Sequence, residues 1–226
     1  MNKKNLSSFL VFILFLSTTS YADPTLITEK DPSLLTSHIN IVFKSGAIQD
    51  PPGKKGVAYL LSQLVLRGTR TKNRQQFQSQ MERLGGTILS TASHDRIGFT
   101  MEVIGENTKP LIELLAEALQ SPAFDGKEFK NLVRETVDKI QVLKNSNGML
   151  AGLALRKAVY AGTPMESPDF GTLSSIKKIT LKDLVTYYNT YFTQSNMLIG
   201  TATAMEPAKS IVTGKQIGRA SCRERV

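Results

Sequence analysis

The sequence predicts an α+β domain in which a mostly antiparallel sheet is backed by helices. The predicted strands and helices follow one another in the order β, α, α, β, β, α, α, α, α, β, which suits two layers of this kind. Apolar residues recur at every second position in the strands and at every third or fourth position in the helices. The 226 residues are 41% hydrophobic, which is enough for one domain with a substantial core.

The first strand and the helix after it form the clearest part of the pattern. Residues 36–44 predict a strand whose apolar face is formed by Ile39, Ile41 and Phe43. Glycine and proline in residues 45–53 end this strand. Residues 56–68 then carry apolar side chains at helical spacing and predict a buried helix that ends near Gly68.

One face of this helix carries Tyr59, Ser62 and Gln63, at positions i, i+3 and i+4. The helix resembles the first helix of the pitrilysin/insulinase peptidases (family M16), where the inverted zinc motif H-x-x-E-H lies within the pattern G-x-A-H-x-x-E-H-x-x-x-x-G-T. The frame of that pattern is matched by Gly56, Ala58, Gly68 and Thr69. The family's preceding x-x-G-x-x-x-D loop is matched by Gly46 and Asp50.

The resemblance implies that Tyr59 and Gln63 replace two zinc-binding histidines and that Ser62 replaces the catalytic glutamate. Zinc requires imidazole or carboxylate ligands at about 2 Å, and a neutral tyrosine or an amide is a poor substitute. A serine cannot take a proton from water as the glutamate does. We therefore expect no catalytic residue, no metal site and no cofactor in this chain. For the helix alone, an ordinary buried helix with three polar residues is the other interpretation.

A helix over residues 74–84 and two strands over residues 87–93 and 96–104 follow. This passage also resembles the M16 family, in which the first of these strands lies at the sheet edge and takes substrate peptide as an added strand. Active members carry an Asn-Ala pair where this chain has Leu89-Ser90. Because strand addition uses backbone groups, we still expect extended peptides to bind at Leu89, Ser90 and Thr91.

The next two helices cover residues 107–121, with Asn107 as the expected cap, and residues 128–143. The resemblance implies that the second of them carries the third zinc ligand, a glutamate. Counting from Gln63 leads to Lys139 or Ile140, and neither is a carboxylate. The nearby carboxylates are interpreted as a solvated charged face and belong to Glu135 and Asp138.

The remainder of the chain predicts helices over residues 147–160 and 180–192, the latter with Thr180 as its N-cap, and a last strand over residues 196–204. The two histidines are not expected to bind metal. His38 is interpreted as a strand residue without a special role, and His94 as a surface residue in a turn.

The two ends of the sequence are set apart from the domain. Residues 1–22 predict a signal peptide with cleavage before Asp23, which implies export to a bacterial periplasm without a stable membrane anchor. Residues 217–226 have no apolar period and are interpreted as a non-native tail, which contains the only cysteine. Residues 23–216 then form the M16-like N-terminal domain. Because family members usually carry two such domains, we expect a second domain that this sequence does not include.

The charge of the chain argues against nucleic acid as a partner. The formal net charge is +9, of which Lys3 and Lys4 contribute two charges and residues 217–226 a net two, so +5 remains for residues 23–216. The basic residues of that part are scattered and are not interleaved with aromatic residues.

The sequence and the resemblance together predict an exported, non-catalytic M16 homologue. The expected role is that of an inactive subunit in a heterodimer, which pairs with a zinc-bearing M16 peptidase and helps to enclose peptide substrate during proteolysis. The alternative is a free-standing periplasmic peptide-binding or chaperone-like protein. The third hypothesis, an active zinc metallopeptidase, requires ligands that the sequence does not offer.

Overall fold

The computed structural model describes residues 25–143 and 145–204. Its strands are β1 (Thr25–Lys30), β2 (Thr36–Phe43), β3 (Thr87–Ala92), β4 (Ile97–Ile104) and β5 (Met197–Thr203). Its α-helices are α1 (Val57–Val65), α2 (Arg74–Arg83), α3 (Thr108–Gln120), α4 (Gly126–Leu143), α5 (Asn147–Val159), α6 (Leu173–Ile176) and α7 (Leu181–Tyr191).

The five strands form one sheet in the order β1-β5-β2-β4-β3. Strand β2 pairs antiparallel with β4 and β5, and β3 pairs antiparallel with β4. Only β1 is parallel to its neighbour, β5. The predicted α+β class with a mostly antiparallel sheet is therefore confirmed, and β3 lies at an edge of the sheet.

Strand β1 was not predicted from the sequence. Its residues are almost all exposed, and Ile27 is 68% exposed, so it lacks the alternation of buried and exposed side chains that marks the other strands. The strand forms because its backbone pairs with β5, which lies far along the chain. Local sequence patterns carry no signal of such a partner.

The sheet buries one face against the helices. Alternate residues from Ile39 to Phe43 in β2 and from Ile97 to Val103 in β4 belong to one apolar core, which the helices share. Helix α1 lies at the centre of this core: seven of its nine residues are buried, and it contacts α4, α7, β3 and β4. Among residues 25–143 and 145–204, no helix is long and apolar enough to cross a membrane.

The start of α1 is held by a carboxylate from outside the helix. The first N–H groups of a helix have no partner within it, and the N-cap residue, Gly56, has no side chain to offer. The carboxylate of Asp50 takes this role, since it accepts hydrogen bonds from the N–H of Gly56 at 2.6 Å and of Ala58 at 2.8 Å. Burial raises the pKa of the Asp50 carboxyl to about 6.

Two glycines allow the backbone before α1 to touch the loop before α6. Gly56 has a φ of 105° and Gly171 a φ of 80°, both in the left-handed region that favours glycine. A Cβ on Gly171 would lie 2.2 Å from the carbonyl oxygen of Lys55, which no side chain could tolerate. The hydroxyl of Ser175 donates to that same oxygen at 2.6 Å. This contact fixes the direction in which the chain enters α1.

Two predicted details are wrong. Asn107 does not cap α3 with its side chain, because its Nδ2 donates instead to the carbonyl oxygen of Leu84 at 3.1 Å. His94 is not a surface residue: it is 8% exposed, and its Nε2 lies 3.0 Å from the carbonyl oxygen of Ser167 and 3.3 Å from Nη1 of Arg156. Both partners of His94 are more than sixty residues away, so the turn sequence around it could not indicate burial.

Other predictions are confirmed or lie outside the described residues. Thr180 is the N-cap of α7, and the carboxylate of Asp183 accepts hydrogen bonds from its N–H and its hydroxyl. The predicted signal peptide, residues 1–22, and the predicted non-native tail, residues 217–226, lie outside the described residues. Both remain predictions.

The buried carboxylate of Asp50 predicts a dependence of stability on pH. Its folded pKa of about 6 lies above the unfolded value near 3.8, so the folded state binds more protons between these values and loses stability as pH rises. From about pH 4.5 to about pH 7 we expect a loss of about 2 kcal/mol in the free energy of unfolding relative to an Asp50→Asn variant. Urea unfolding of both proteins measures this difference. Parallel pH curves for the two proteins would contradict it.

Candidate functional site

The side chains of Tyr59, Ser62 and Gln63 do not all face the same surroundings. Ser62 is fully buried, and its hydroxyl donates to the carbonyl oxygen of Tyr59 at 2.8 Å, within the helix. Tyr59 and Gln63 are partly buried and contact residues outside α1. The residue at the predicted position of the catalytic base is therefore bonded back to its own helix.

Tyr59 is in contact with Lys139 of α4. The ammonium Nζ of Lys139 donates to the hydroxyl oxygen of Tyr59 at 3.2 Å and lies 5.4 Å from the ring centroid, close enough for a cation–π contact. The sequence left open whether Lys139 or Ile140 faces the motif. Lys139 does, whereas Ile140 is buried in the apolar core.

Gln63 connects α1 to the edge strand. Its Nε2 donates to the hydroxyl oxygen of Ser90 at 3.0 Å and makes a long hydrogen bond to the carbonyl oxygen of the same residue at 3.5 Å. The three predicted peptide-binding residues alternate along β3. Ser90 is partly buried beside α1, whereas Leu89, 64% exposed, and Thr91 are exposed on the other face of the sheet.

The backbone of β3 alternates in the same way. The N–H of Ser93 donates to the carbonyl oxygen of Arg96 at 2.8 Å, so these two residues form a hydrogen-bonded pair. In an antiparallel ladder every second pair is of this kind, which assigns Thr91–Gly98 and Leu89–Thr100 to the bonded pairs. Ser90 lies between them, so its N–H and C=O point away from β4, toward the open edge. Of the three predicted residues, Ser90 therefore offers its N–H to an added strand, together with a C=O that also accepts the long hydrogen bond from Gln63.

A cluster of ion pairs joins the end of α1 to α4 and α2. Arg67 binds Glu135 through both of its terminal nitrogens, and Arg74 binds Glu128 at 3.1 Å. The Arg67 guanidinium beside Glu135 holds the pKa of that carboxyl below its usual value, mainly through the hydrogen bond. The interpretation of Glu135 as a merely solvated carboxylate is therefore incomplete. Asp138 is exposed, as predicted.

Comparison with known proteins identifies the family. The sequence model of the family described as Insulinase (Peptidase family M16) matches residues 25–173, more than half of the chain. The chain belongs to peptidase family M16. The predicted family is therefore confirmed.

Curated relatives in this family are similar at low identity. An uncharacterized zinc protease of Rickettsia bellii is 21% identical over 178 residues, 79% of this chain and 43% of that protein. A probable mitochondrial-processing peptidase subunit beta of Arabidopsis thaliana is 21% identical over 84% of this chain and 36% of that protein. The non-peptidase homolog YmxG of Helicobacter pylori is 24% identical over 76% and 40%. The chain thus spans less than half the length of these relatives.

A solved M16 structure has the same fold. The crystal structure of an M16 peptidase inactive domain from Pseudomonas fluorescens superposes with a TM-score of 0.76 at 21% sequence identity. The superposition covers 87% of this chain and 47% of that one. This similarity supports the fold.

The residues at the M16 metal positions do not fit a zinc ion. Tyr59 offers a hydroxyl, and the amide of Gln63 is bonded to Ser90. Lys139 brings an ammonium group, which has no lone pair and repels a cation. Among the described residues, no three or more His, Cys, Asp or Glu side chains are grouped so that they could hold a metal ion. The sequence left Lys139 and Ile140 as alternatives at this position and did not predict the contact with Tyr59, which depends on how two distant helices pack.

The contact between Lys139 and Tyr59 predicts which substitutions would create a zinc site. We expect the wild type and the variant Tyr59→His, Ser62→Glu, Gln63→His to hold no stoichiometric zinc, since the third ligand is missing and a lysine faces the site. Adding Lys139→Glu should supply that ligand and give about one zinc per chain. Metal analysis after dialysis against a weak chelator measures the content.

A glutamate one residue away provides the control. Asp138→Glu in the same triple background should not give a zinc site, because one helical step turns the side chain by about 100°. Stoichiometric zinc in the wild type would contradict the assignment of Lys139 to the third-ligand position. Equal zinc content in the two variants with four substitutions would contradict it as well.

Proposed function

We propose that this protein is an exported, non-catalytic M16 subunit that holds an extended peptide while a zinc-bearing M16 partner cleaves it. The observation that carries this proposal is the position of Ser90. Its outward backbone groups lie on an edge strand, next to a helix whose metal and base positions are Tyr59, Ser62 and Gln63. The chain can thus pair with a peptide strand through its backbone, although its own side chains provide no hydrolytic chemistry.

The lack of activity is supported by the chemistry of the site and by two similar proteins. The buried hydroxyl of Ser62 is bonded to its own helix and cannot activate water. A relative from Helicobacter pylori is named a non-peptidase homolog, and the similar solved structure is described as an inactive domain. We extend this absence of peptidase activity to the present chain.

The proposed partner is a zinc-bearing M16 homologue. In the heterodimer, this partner chain would hold the zinc. An inactive subunit contributes to proteolysis only if another chain supplies the metal and the base. One similar protein is named as the beta subunit of a processing peptidase, which is consistent with assembly from subunits. The residues 1–22 support export to a periplasm, without a stable membrane anchor once the signal peptide is removed. Nucleic acid is not a proposed partner.

The alternative is a free-standing periplasmic protein that binds or chaperones peptides. The observation that favours it is the open edge at Ser90, which is present in the single chain and needs no second subunit to form. An active zinc metallopeptidase is the third candidate, and the residues at its metal positions do not fit zinc.

A reconstitution assay separates the first two functions. We expect mixtures of this protein with a zinc-bearing M16 homologue from the same organism to cleave peptides at least about tenfold faster than the homologue alone, because the complex closes the site and holds the substrate. Size-exclusion chromatography should show the two chains in one complex. Full activity of the homologue alone, with no complex, would contradict the subunit proposal and favour the free-standing protein.

Proline substitutions along β3 test the proposed mode of binding. Ser90→Pro removes an outward N–H and should abolish retention of a pool of eight-residue peptides while leaving the melting temperature within a few degrees, about the effect of a surface change. Thr91→Pro removes an N–H that pairs with β4 and should lower the melting temperature instead, because the ladder between the two strands loses a hydrogen bond.

Ser90→Ala is the matched control, since it removes the hydroxyl that binds Gln63 but keeps the N–H. We expect it to retain peptides like the wild type. Equal retention by Ser90→Pro and wild type would rule out strand addition at this edge.

A further inference from the structure

The ammonium group of Lys139 has no negatively charged partner. It is exposed and donates to the neutral hydroxyl of Tyr59. In the part of the chain that the structure describes, no carboxylate oxygen lies within 4.0 Å of its Nζ. An unpaired cation beside an aromatic ring suits an anionic ligand.

The reason for this missing partner lies one turn earlier on α4. Glu135 is four residues before Lys139, the spacing and order at which a glutamate and a lysine pair best on a helix. Glu135 instead binds both terminal nitrogens of Arg67 on the neighbouring segment. Asp138 is adjacent in sequence and points about 100° away around the helix. Arg67 thus takes the carboxylate that would otherwise neutralise Lys139.

The pair of Lys139 and Tyr59 still has hydrogen-bond donors to offer. A lysine ammonium has three N–H donors, of which one is used by Tyr59. The hydroxyl oxygen of Tyr59 accepts that bond, so its own hydrogen remains available. The pair therefore combines one positive charge with at least two kinds of donor, which matches a carboxylate.

This pair lies beside the strand edge described above. Tyr59 and Gln63 are four residues apart on α1, about one helical turn or 5–6 Å. Gln63 contacts Ser90, whose backbone faces the open edge of β3. A peptide that pairs with Ser90 therefore lies next to Gln63, one helical turn along α1 from the residue that Lys139 contacts.

We propose that Lys139 and Tyr59 bind a carboxylate of the extended peptide held on β3. This inference rests on the proposed function and adds the chemical class of its ligand. The carboxylate could be the free C-terminus of the peptide or the side chain of an aspartate or glutamate. Both sources have the same chemistry, and the experiment distinguishes them.

The test compares three pools of eight-residue peptides that are acetylated at the N-terminus and vary over uncharged residues. The first pool ends in a free carboxylate, the second in an amide, and the third in an amide with glutamate as its last residue. Wild type, Lys139→Met, Lys130→Met and Ser90→Pro are immobilised, and the retained peptides are measured by mass spectrometry. Lys130 is the matched control because it is also exposed on α4, nine residues away and so on the opposite side of the helix.

We expect the wild type to retain the first pool, the third pool or both about fivefold more than the amide pool, the size of a typical exposed ion pair. Lys139→Met should remove this preference and keep the retention of the amide pool and the melting temperature. Lys130→Met should keep the preference. Preference for the first pool alone identifies the C-terminal carboxylate, and preference for the third alone identifies an acidic side chain.

Three other results would overturn the inference in different ways. Equal retention of all three pools by the wild type, with loss of all three in Ser90→Pro, would exclude the carboxylate site and leave the proposed function intact. If the wild type retains no more peptide than Ser90→Pro does, the proposed function is overturned, and this inference with it. An equal loss of preference in Lys130→Met and Lys139→Met would indicate general surface charge rather than a site.

Discussion

The buried carboxylate of Asp50 is the interaction on which the arrangement of the site depends. Helix α1 is short and almost fully buried, so its first N–H groups cannot reach water and must be satisfied by protein atoms. Asp50 does this from the preceding loop, which α7 holds in place through a hydrogen bond from Tyr187 to the carbonyl oxygen of Gly46 at 2.8 Å. Because Tyr59 and Gln63 lie in the next turns, their positions follow from where this carboxylate starts the helix.

Two polar contacts join α4 to α1 and to the segment that follows it. A zinc ion joins helices through lone pairs that the protein donates to a cation. Here the cation belongs to the protein: Lys139 donates to Tyr59, and Arg67 donates to Glu135. The first contact joins α1 to α4, and the second joins α4 to the segment that follows α1. Apolar packing also holds the two helices together, since α1 packs against α4 through buried residues of the core.

The sequence predicted those features that depend on neighbouring residues and missed those that depend on distant ones. Periodicity indicated β2 and α1, and glycine and proline indicated where they end. Strand β1 was missed because only its pairing with β5 stabilises it, and the burial of His94 was missed because its partners lie in a distant loop. The choice between Lys139 and Ile140 could not be made for the same reason: it depends on how α4 is rotated against α1.

Holding a peptide and cleaving it require different parts of this fold. Cleavage depends on the side chains at the metal and base positions, which in this chain are Tyr59, Ser62 and Gln63 on α1 and Lys139 on α4. Strand addition depends on backbone groups, which are the same for every residue except proline. The alternation fixed by the pairing of β3 with β4 turns the backbone of Ser90 outward whichever side chain it carries. In the function proposed above, the edge strand holds the peptide through its backbone, and the ammonium of Lys139 beside it selects among peptides by charge.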